Sequence, residues 1–447
     1  MNEHILNNKP LVVYQSALQT ASGYGRYSLE IAKSLLRYCK KKDYQLGIVL
    51  TPWGATGQRS IEDLSQDPET RELLSLIIRG NINKQPDVYF HVSIPNEWQP
   101  HGKYNIGISA LTENSALSPQ FIEGINRFNL GIVMSNFNKD VAIKTEYVKK
   151  NPNGTQEPLK VNTPIEVLPW GINTSIYKKT SDKVPSIEEE LVKIPETFAF
   201  FYSGMWSGNG NSDRKDTGKL IETFLRVFAG VENPPCLILK VNGAQIGVVD
   251  RHDCVNKLTD ITNMVKHNLP NAKLPNVYLM YGDLSDVEMN ALVNSDKVKV
   301  CVSFSHGESW GQSGLTGTIA GKPTILPNWS GHLDYMNPEH SDFFEGTLQT
   351  VPSEVVNDWF VKESQWFVVD YNKAADKMKS YFFNYNQDML DKAEKLRLEN
   401  TVKFSADAMN EIFHSILDKH IPEIPRQSSI VLPKLKKITL PSLKKIE

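Results

Sequence analysis

The stretch Val298–Pro327, VKVCVSFSHGESWGQSGLTGTIAGKPTILP, holds the residues whose types and spacing point most directly to chemistry. An apolar run through Val298, Val300 and Val302 breaks at the small residues of Ser303–Gly307, and Glu308 follows at once. A second element then runs through Leu315 and Ile319 to a Gly321-Lys322-Pro323 stop. Strand, turn, helix, strand is the grammar of a parallel α/β sheet. It sets Glu308 at a strand's carboxyl end, facing the first turn of the next helix. There the backbone N–H groups of Trp310, Gly311, Gln312, Ser313 and Gly314 point the same way without helical partners, an arrangement that takes phosphate. A carboxylate for sugar hydroxyls beside amides for a diphosphate is the chemistry of a nucleotide-sugar site. The plainer alternative is an ordinary strand-to-helix turn with a solvated Glu.

These residues resemble a known family. Ser305-His306-Gly307-Glu308-Ser309-Trp310-Gly311, followed by Ala320-Gly321-Lys322-Pro323, is similar to the donor-site signature of family-4 retaining glycosyltransferases. In that family a second Glu, eight residues after the first, holds the nucleotide ribose. Here the eighth residue is Thr316 with the Gly-Lys-Pro register kept, so ribose recognition is where this chain departs. Counting back from Leu220-Ile221-Glu222-Thr223-Phe224, Lys215 takes the place of the family's diphosphate-binding lysine. The companion arginine, just after Gly204, is Met205 here, and Arg214 offers a charge from a new position.

The resemblance implies the GT-B arrangement: an α/β chain of two Rossmann-like domains facing across a cleft, with parallel sheets flanked by helices. The donor would sit on the second domain, with Lys215 and Arg214 on its diphosphate and Glu308 on sugar hydroxyls. Gly282 and Asp283 would lie near its nucleobase. The acceptor would sit mainly on the first domain, beside the Gly23-Tyr24-Gly25 loop and Glu113, the latter resembling the family's Glu-Thr turn in inverted order. Retention by front-face attack is implied as well. Competing readings stay open for several of these residues. Gly23-Tyr24-Gly25 could open a dinucleotide fold, although Ser28 replaces the third glycine and no acidic residue clearly closes the strand Tyr44–Thr51. Glu113 could cap the next turn, and Arg214-Lys215 could be a solvated surface pair.

The elements that must position these groups divide 447 residues into two domains. The expected divisions are 1–180 for the acceptor side, 195–404 for the donor side, a helix over 405–420 placed to cross the hinge, and a tail over 421–447. Apolar runs predict strands at Pro10–Ser16, Tyr44–Thr51, Asp87–Ile94 and Asn105–Ala110, and later at Thr197–Ser203, Leu237–Val241 and Val277–Tyr281. Leu29, Ile31, Ala32, Leu35 and Leu36 mark the inner face of a first helix. Ser60–Arg79 has the spacing of one surface helix, Thr145–Thr163 reads as a hairpin or excursion, and Asn337–Gln365 reads as irregular. His91, inside a strand, fits a packed core histidine. The tail nearly repeats Leu-Pro-x-Leu-Lys-Lys-Ile, which suits an extended arm against the body, a partner or a second copy, with a solvated, disordered tail as the equal alternative.

Bulk properties narrow the class. Hydrophobic residues at 40% and charged residues at 22% are globular values. A net charge of −2 provides no general field for nucleic acid or anionic membrane. Four scattered cysteines, without a Cys-x-x-Cys pattern, fit buried free thiols in a reducing compartment. The start MNEHILNNKP is no signal peptide and no apolar run approaches a membrane span, so a cytoplasmic protein is expected. No Asp-x-Asp motif stands at a strand end, which fits protein cations in place of a metal on the leaving diphosphate. No cofactor is called for beyond a nucleoside-diphosphate sugar as co-substrate. The acceptor stays open among saccharide, lipid, protein and modified nucleobase. An epimerase or hydrolase of nucleotide sugars, or a non-catalytic binding module, fits the same fold; Thr316 with Met205 gives the module some weight, against Glu308, Lys215 and the glycine loops kept together.

Overall fold

A computed structural model describes residues 9–425 apart from 55, 207 and 244–246, and leaves the side chain of 211 undescribed. The repeated tail lies outside the described residues from 426 onward. Among the described residues no helix is long and apolar enough to cross a membrane.

The first half builds β1 (Leu11–Ser16), α1 (Gly23–Lys42), β2 (Gln45–Leu50), α2 (Ile61–Leu64), α3 (Pro68–Ser75), β3 (Val88–Val92), β4 (Tyr104–Ser109), α4 (Pro119–Asn126), β5 (Leu130–Val133), α5 (Asn136–Lys144), β6 (Glu146–Lys150), β7 (Gln156–Lys160) and β8 (Ile165–Val167). Six of these strands form one sheet in the order β2-β1-β3-β4-β5-β8, and every pairing in it is parallel. Strands covered on both faces read as near-continuous apolar runs, and LVVYQS and VYFHV, buried at all but one position, come close to that. The α1 face carrying Leu29, Ile31, Ala32, Leu35 and Leu36 is buried, as its spacing requires. Ser22 caps this helix by accepting the Gly25 N–H. Gly25 is glycine for space, because a Cβ there would lie 2.2 Å from the Thr20 carbonyl oxygen.

The single helix expected over Ser60–Arg79 is instead two. Pro68 has no N–H to continue a helix and takes the first position of α3, with the Asp67 carboxylate accepting from Thr70. The excursion over Thr145–Thr163 is the antiparallel hairpin β6–β7.

The second half comprises α6 (Pro185–Leu191), β9 (Ala199–Met205), α7 (Thr217–Val227), β10 (Cys236–Asn242), α8 (Val248–Asn268), β11 (Val277–Tyr281), α9 (Asp286–Asn294), β12 (Val298–Val302), α10 (Gln312–Ile319), β13 (Thr324–Pro327), β14 (Asp342–Phe344), β15 (Gly346–Thr350), β16 (Gln365–Val369), α11 (Tyr371–Phe383), α12 (Gln387–Lys403) and α13 (Ala406–His420). Its sheet is again six parallel strands, ordered β11-β10-β9-β12-β13-β14. Asn337–Gln365 is therefore more regular than its sequence indicates. β14 completes the sheet and β15 pairs antiparallel with β16, because Phe344, Phe367 and Val369 join the core. All four cysteines are buried and free. His91 is buried in β3, where burial pushes its imidazole down to about 4.

The chain finally returns to where it began. α13 lies along α1, with the Ser34 hydroxyl donating to Asn410 at 2.6 Å and the Tyr38 hydroxyl to Asp418 at 2.9 Å. At the crossing between the halves, the Ile172 N–H donates to the Phe404 carbonyl and the Ala406 N–H to the Ile172 carbonyl.

Candidate active site

Parallel strands collect their loops at their carboxyl ends, and in open α/β sheets ligands bind there. The loops after β1 and β8 meet those after β9, β10, β11 and β12 around a cavity of about 380 Å³. Its wall takes Gly23 from the first half and Gly204, Met205, Arg214, Lys215, Lys240, Asp283, Glu308, Gly311, Gln312, Ser313 and Thr316 from the second.

The loop ahead of α7 is built by a buried acid. The Asp213 carboxylate accepts the N–H groups of Lys215 and Gly218, both at 3.2 Å, and folds the chain so that residues 214 and 215 project. The His306 N–H donates to the Arg214 carbonyl at 3.0 Å, which ties this loop to the one bearing Glu308. His306 itself is fixed by a 2.7 Å contact between its Nδ1 and the Phe367 carbonyl, and by stacking on Trp366. Burial pushes its imidazole down to about 4, so it is neutral at pH 7.

Four charges alternate across the cleft. Lys215 pairs with Glu308, each side chain only 16% exposed, while Arg214 pairs with Glu113 from the opposite domain. Burial pushes the Glu308 carboxyl up, but Lys215 and Arg214 outweigh burial and hold it below the usual carboxylate range. Burial works against the Arg214 cation too, and Glu113 and Glu308 overcome it. The acids and bases singled out in sequence are therefore brought together as one network.

The other expected residues divide between the cavity wall and the packing behind it. The Trp310 ring is buried against Tyr335 and Phe404. Gly314 donates its N–H to the Gly311 carbonyl within the helix turn, so it drops out of the set of free amides. Gly311, at φ 81°, caps α10, and Gln312 and Ser313, the first two helical residues, whose amides lack intrahelical partners, line the cavity. The Ser309 hydroxyl donates across the cleft to the Thr112 carbonyl at 3.0 Å. The Thr316 hydroxyl donates to the Gln312 carbonyl at 3.0 Å. Tyr24 stacks on Trp53, and its hydroxyl bonds Ser109 and accepts the Ala110 N–H, so it supports its loop from behind. Gly282, at φ 123°, forms the turn that presents Asp283. His332 is buried, with Nε2 at 2.5 Å from the Pro327 carbonyl oxygen.

Three wall residues escaped the sequence reading. Arg26, on α1, reaches across to Asp286 at 2.8 Å and Asp283 at 3.5 Å, and the Tyr177 hydroxyl donates to the same Asp286 at 2.8 Å. Lys240 is a lysine inside an otherwise apolar strand, and that break in CLILKVN was a readable signal. Arg26 and Tyr177 carried none, since only the meeting of the two halves makes them neighbours.

No protein-family model matches the chain, and no curated protein matches it in sequence. Solved structures do match over nearly the whole length. A glycosyltransferase from Rickettsia africae is 15% identical with a TM-score of 0.60, covering 93% of this chain and 99% of its own. Anabaena HepE in complex with UDP and glucose is 11% identical with a TM-score of 0.56, covering 92% and 100%. A trehalose-6-phosphate synthase studied for glycosyl transfer with retention is 11% identical with a TM-score of 0.57, covering 92% and 99%. At such identities the likeness establishes architecture, and the architecture is GT-B: two Rossmann-like domains, each on a parallel six-stranded sheet, facing one another across the cavity.

Proposed function

We propose that this protein transfers a glycosyl group from a nucleoside-diphosphate sugar to an acceptor hydroxyl, with retention of configuration and without a metal. The observation that carries the reading is the four-charge network of Glu113, Arg214, Lys215 and Glu308, set beside the start of α10 at the cleft. The neighbours that bind UDP or transfer sugars share this architecture and support the donor class.

The chemistry follows from charge. The bond between the sugar's anomeric carbon and the β-phosphate oxygen breaks, and its electron pair goes to that oxygen. Lys215 and Arg214 meet the growing negative charge, together with the Gln312 and Ser313 amides. Preorganised cations in a water-poor cleft stabilise this charge more than the ground state. The acceptor oxygen bonds the anomeric carbon on the same face, and its proton passes to the leaving phosphate oxygen. Glu308 holds sugar hydroxyls, and Glu113, the one network member from the first domain, orients the acceptor. Incubation with UDP-, GDP- and ADP-sugars, following nucleotide release with and without candidate acceptors, tests the reading. Acceptor-dependent release supports it. Release without acceptor indicates a hydrolase, and binding without turnover indicates a non-catalytic module.

A further inference from the structure

The proposed transferase reading assigns the diphosphate to one end of the cavity and leaves a lysine at the other without a task. β10 alternates its side chains, so Cys236, Ile238 and Lys240 share a face. The first two lie in an apolar cluster with Phe201, Val298 and Cys301. Lys240 is the third member of that row. It is 9% exposed, lines the cavity, and among the described residues makes neither a hydrogen bond nor an ion pair. A buried ammonium without partners is costly, and burial lowers its proton affinity accordingly. The charges it feels are Asp283, attractive, and Arg26, repulsive, and Asp283 follows β11, three places along the sheet from β12, whose loop bears Glu308.

We propose that Lys240 reads the nucleobase of the donor by donating a hydrogen bond to a ring carbonyl oxygen, so that the site takes a keto base in preference to adenine. On that reading a nucleotide whose diphosphate lies against Lys215 and the α10 start extends its nucleoside along the same cavity wall toward Asp283 and Lys240. A carbonyl oxygen offers the ammonium two lone pairs over a wide angle. Adenine offers only ring nitrogens with one in-plane lone pair each, and the amino group beside N1 and N7 turns N–H donors toward a cation. Asp283 suits the complementary task of accepting an N–H from the same base. Selection then arises because an oxygen-bearing base satisfies a donor that the free site leaves unpaired, while a base that pairs with it poorly leaves that cost in place.

Calorimetric titration of the full chain with UDP, GDP and ADP tests this, using wild type, Lys240→Met and Lys240→Gln. Wild type should bind UDP or GDP at least ~10-fold more tightly than ADP, the discrimination of about one hydrogen bond to a charged group. Lys240→Met should bring the preferred nucleotide within about threefold of ADP and leave ADP affinity unchanged, with Lys240→Gln between the two. Without ligand, Lys240→Met should melt at a higher temperature than wild type, because it removes the buried charge. Equal weakening toward all three nucleotides would place Lys240 on ribose or phosphate and overturn the base reading, as would an unchanged preference. A wild type that turns over sugar donors without distinguishing bases defeats this inference alone. One that binds none of the three defeats the transferase reading as well.

Discussion

Lys215 and Glu308 neutralise each other at the cavity wall, so substitution of either disturbs both the fold and the chemistry, and the two effects can be separated. Lys215→Ala should lower kcat by roughly 10²–10³-fold, the scale for one preorganised stabiliser of developing charge. It should also lower Tm, because Glu308 is left little exposed and without its nearest cation. The double variant Lys215→Met with Glu308→Gln should recover the Tm and leave kcat low, as thermal scans and saturating-donor kinetics can show. A Lys215→Ala enzyme with near-wild-type kcat would remove Lys215 from the mechanism. Arg214 has a different partner and a different expected phenotype. Glu113 occupies it from across the cleft, and a diphosphate has to compete with that carboxylate. Glu113→Gln should therefore tighten nucleoside-diphosphate binding by about 3–10-fold, since it weakens a charge-assisted competitor. The same variant should slow transfer if Glu113 orients the acceptor. Weaker binding in calorimetry would show instead that the pair preorganises Arg214.

The turn entering α7 concentrates two features that cost energy, and both belong to Asp216. Its backbone is left-handed at φ 52°, and burial, opposed by the hydrogen bond from Tyr371, pushes its carboxyl up to about 7. The folded state thus binds this proton more tightly than the unfolded chain does. The resulting stability is complete below about pH 4 and is lost as pH rises through about 7. Asp216→Asn keeps an acceptor for Tyr371 and tolerates the left-handed backbone. Its Tm should exceed that of wild type at pH 8, and the gap should narrow toward pH 5. A gap that narrows as pH rises would contradict burial as the dominant influence. Elements of this kind were only partly legible in sequence. The strand, turn and helix around Glu308 could be read because apolar period, small-residue break and Gly-Lys-Pro stop all agree. Pro68 was visible too, but the spacing of Ile61, Leu64, Leu73 and Leu74 runs smoothly past a one-turn interruption and hides it. β14 is short and β15 is exposed along most of its length, so neither period nor composition announces them, whereas QWFVV of β16 has a strand's composition and the partner it needs is β15. The pairing of Arg214 with Glu113 was out of reach, since it depends on how two domains meet.

At the scale of the whole molecule, the halves touch through polar bridges and through apolar contacts, among them the T-shaped ring pairs Phe137–Trp329 and Phe90–Phe413, with centroids 4.9 and 6.3 Å apart. Arg26 and its two aspartates are between 34% and 49% exposed, so each pair contributes no more than about 1 kcal/mol and yields to salt. Scattering profiles of wild type should show a larger radius of gyration near ~1 M salt, where screening acts within ~3 Å, than at ~0.1 M. Arg26→Ala should already show the larger radius at the lower salt. Identical profiles for all three samples would mean that apolar contacts alone set the spacing. The return of α13 to α1 has a consequence for how the chain is made. The helix that covers the Ser34–Tyr38 face carries Met409, Phe413, Ile416 and Leu417 inward, and it is the last helix among the described residues. The roughly 240 residues between β8 and α13 take about 12–48 s to synthesise at ~5–20 residues per second. Throughout that interval the first sheet can assemble while one flank of α1 stays wet and apolar. The domain begun first is thus sealed last, and a ribosome that stalls within the second half leaves that flank open to whatever binds exposed hydrophobic chain.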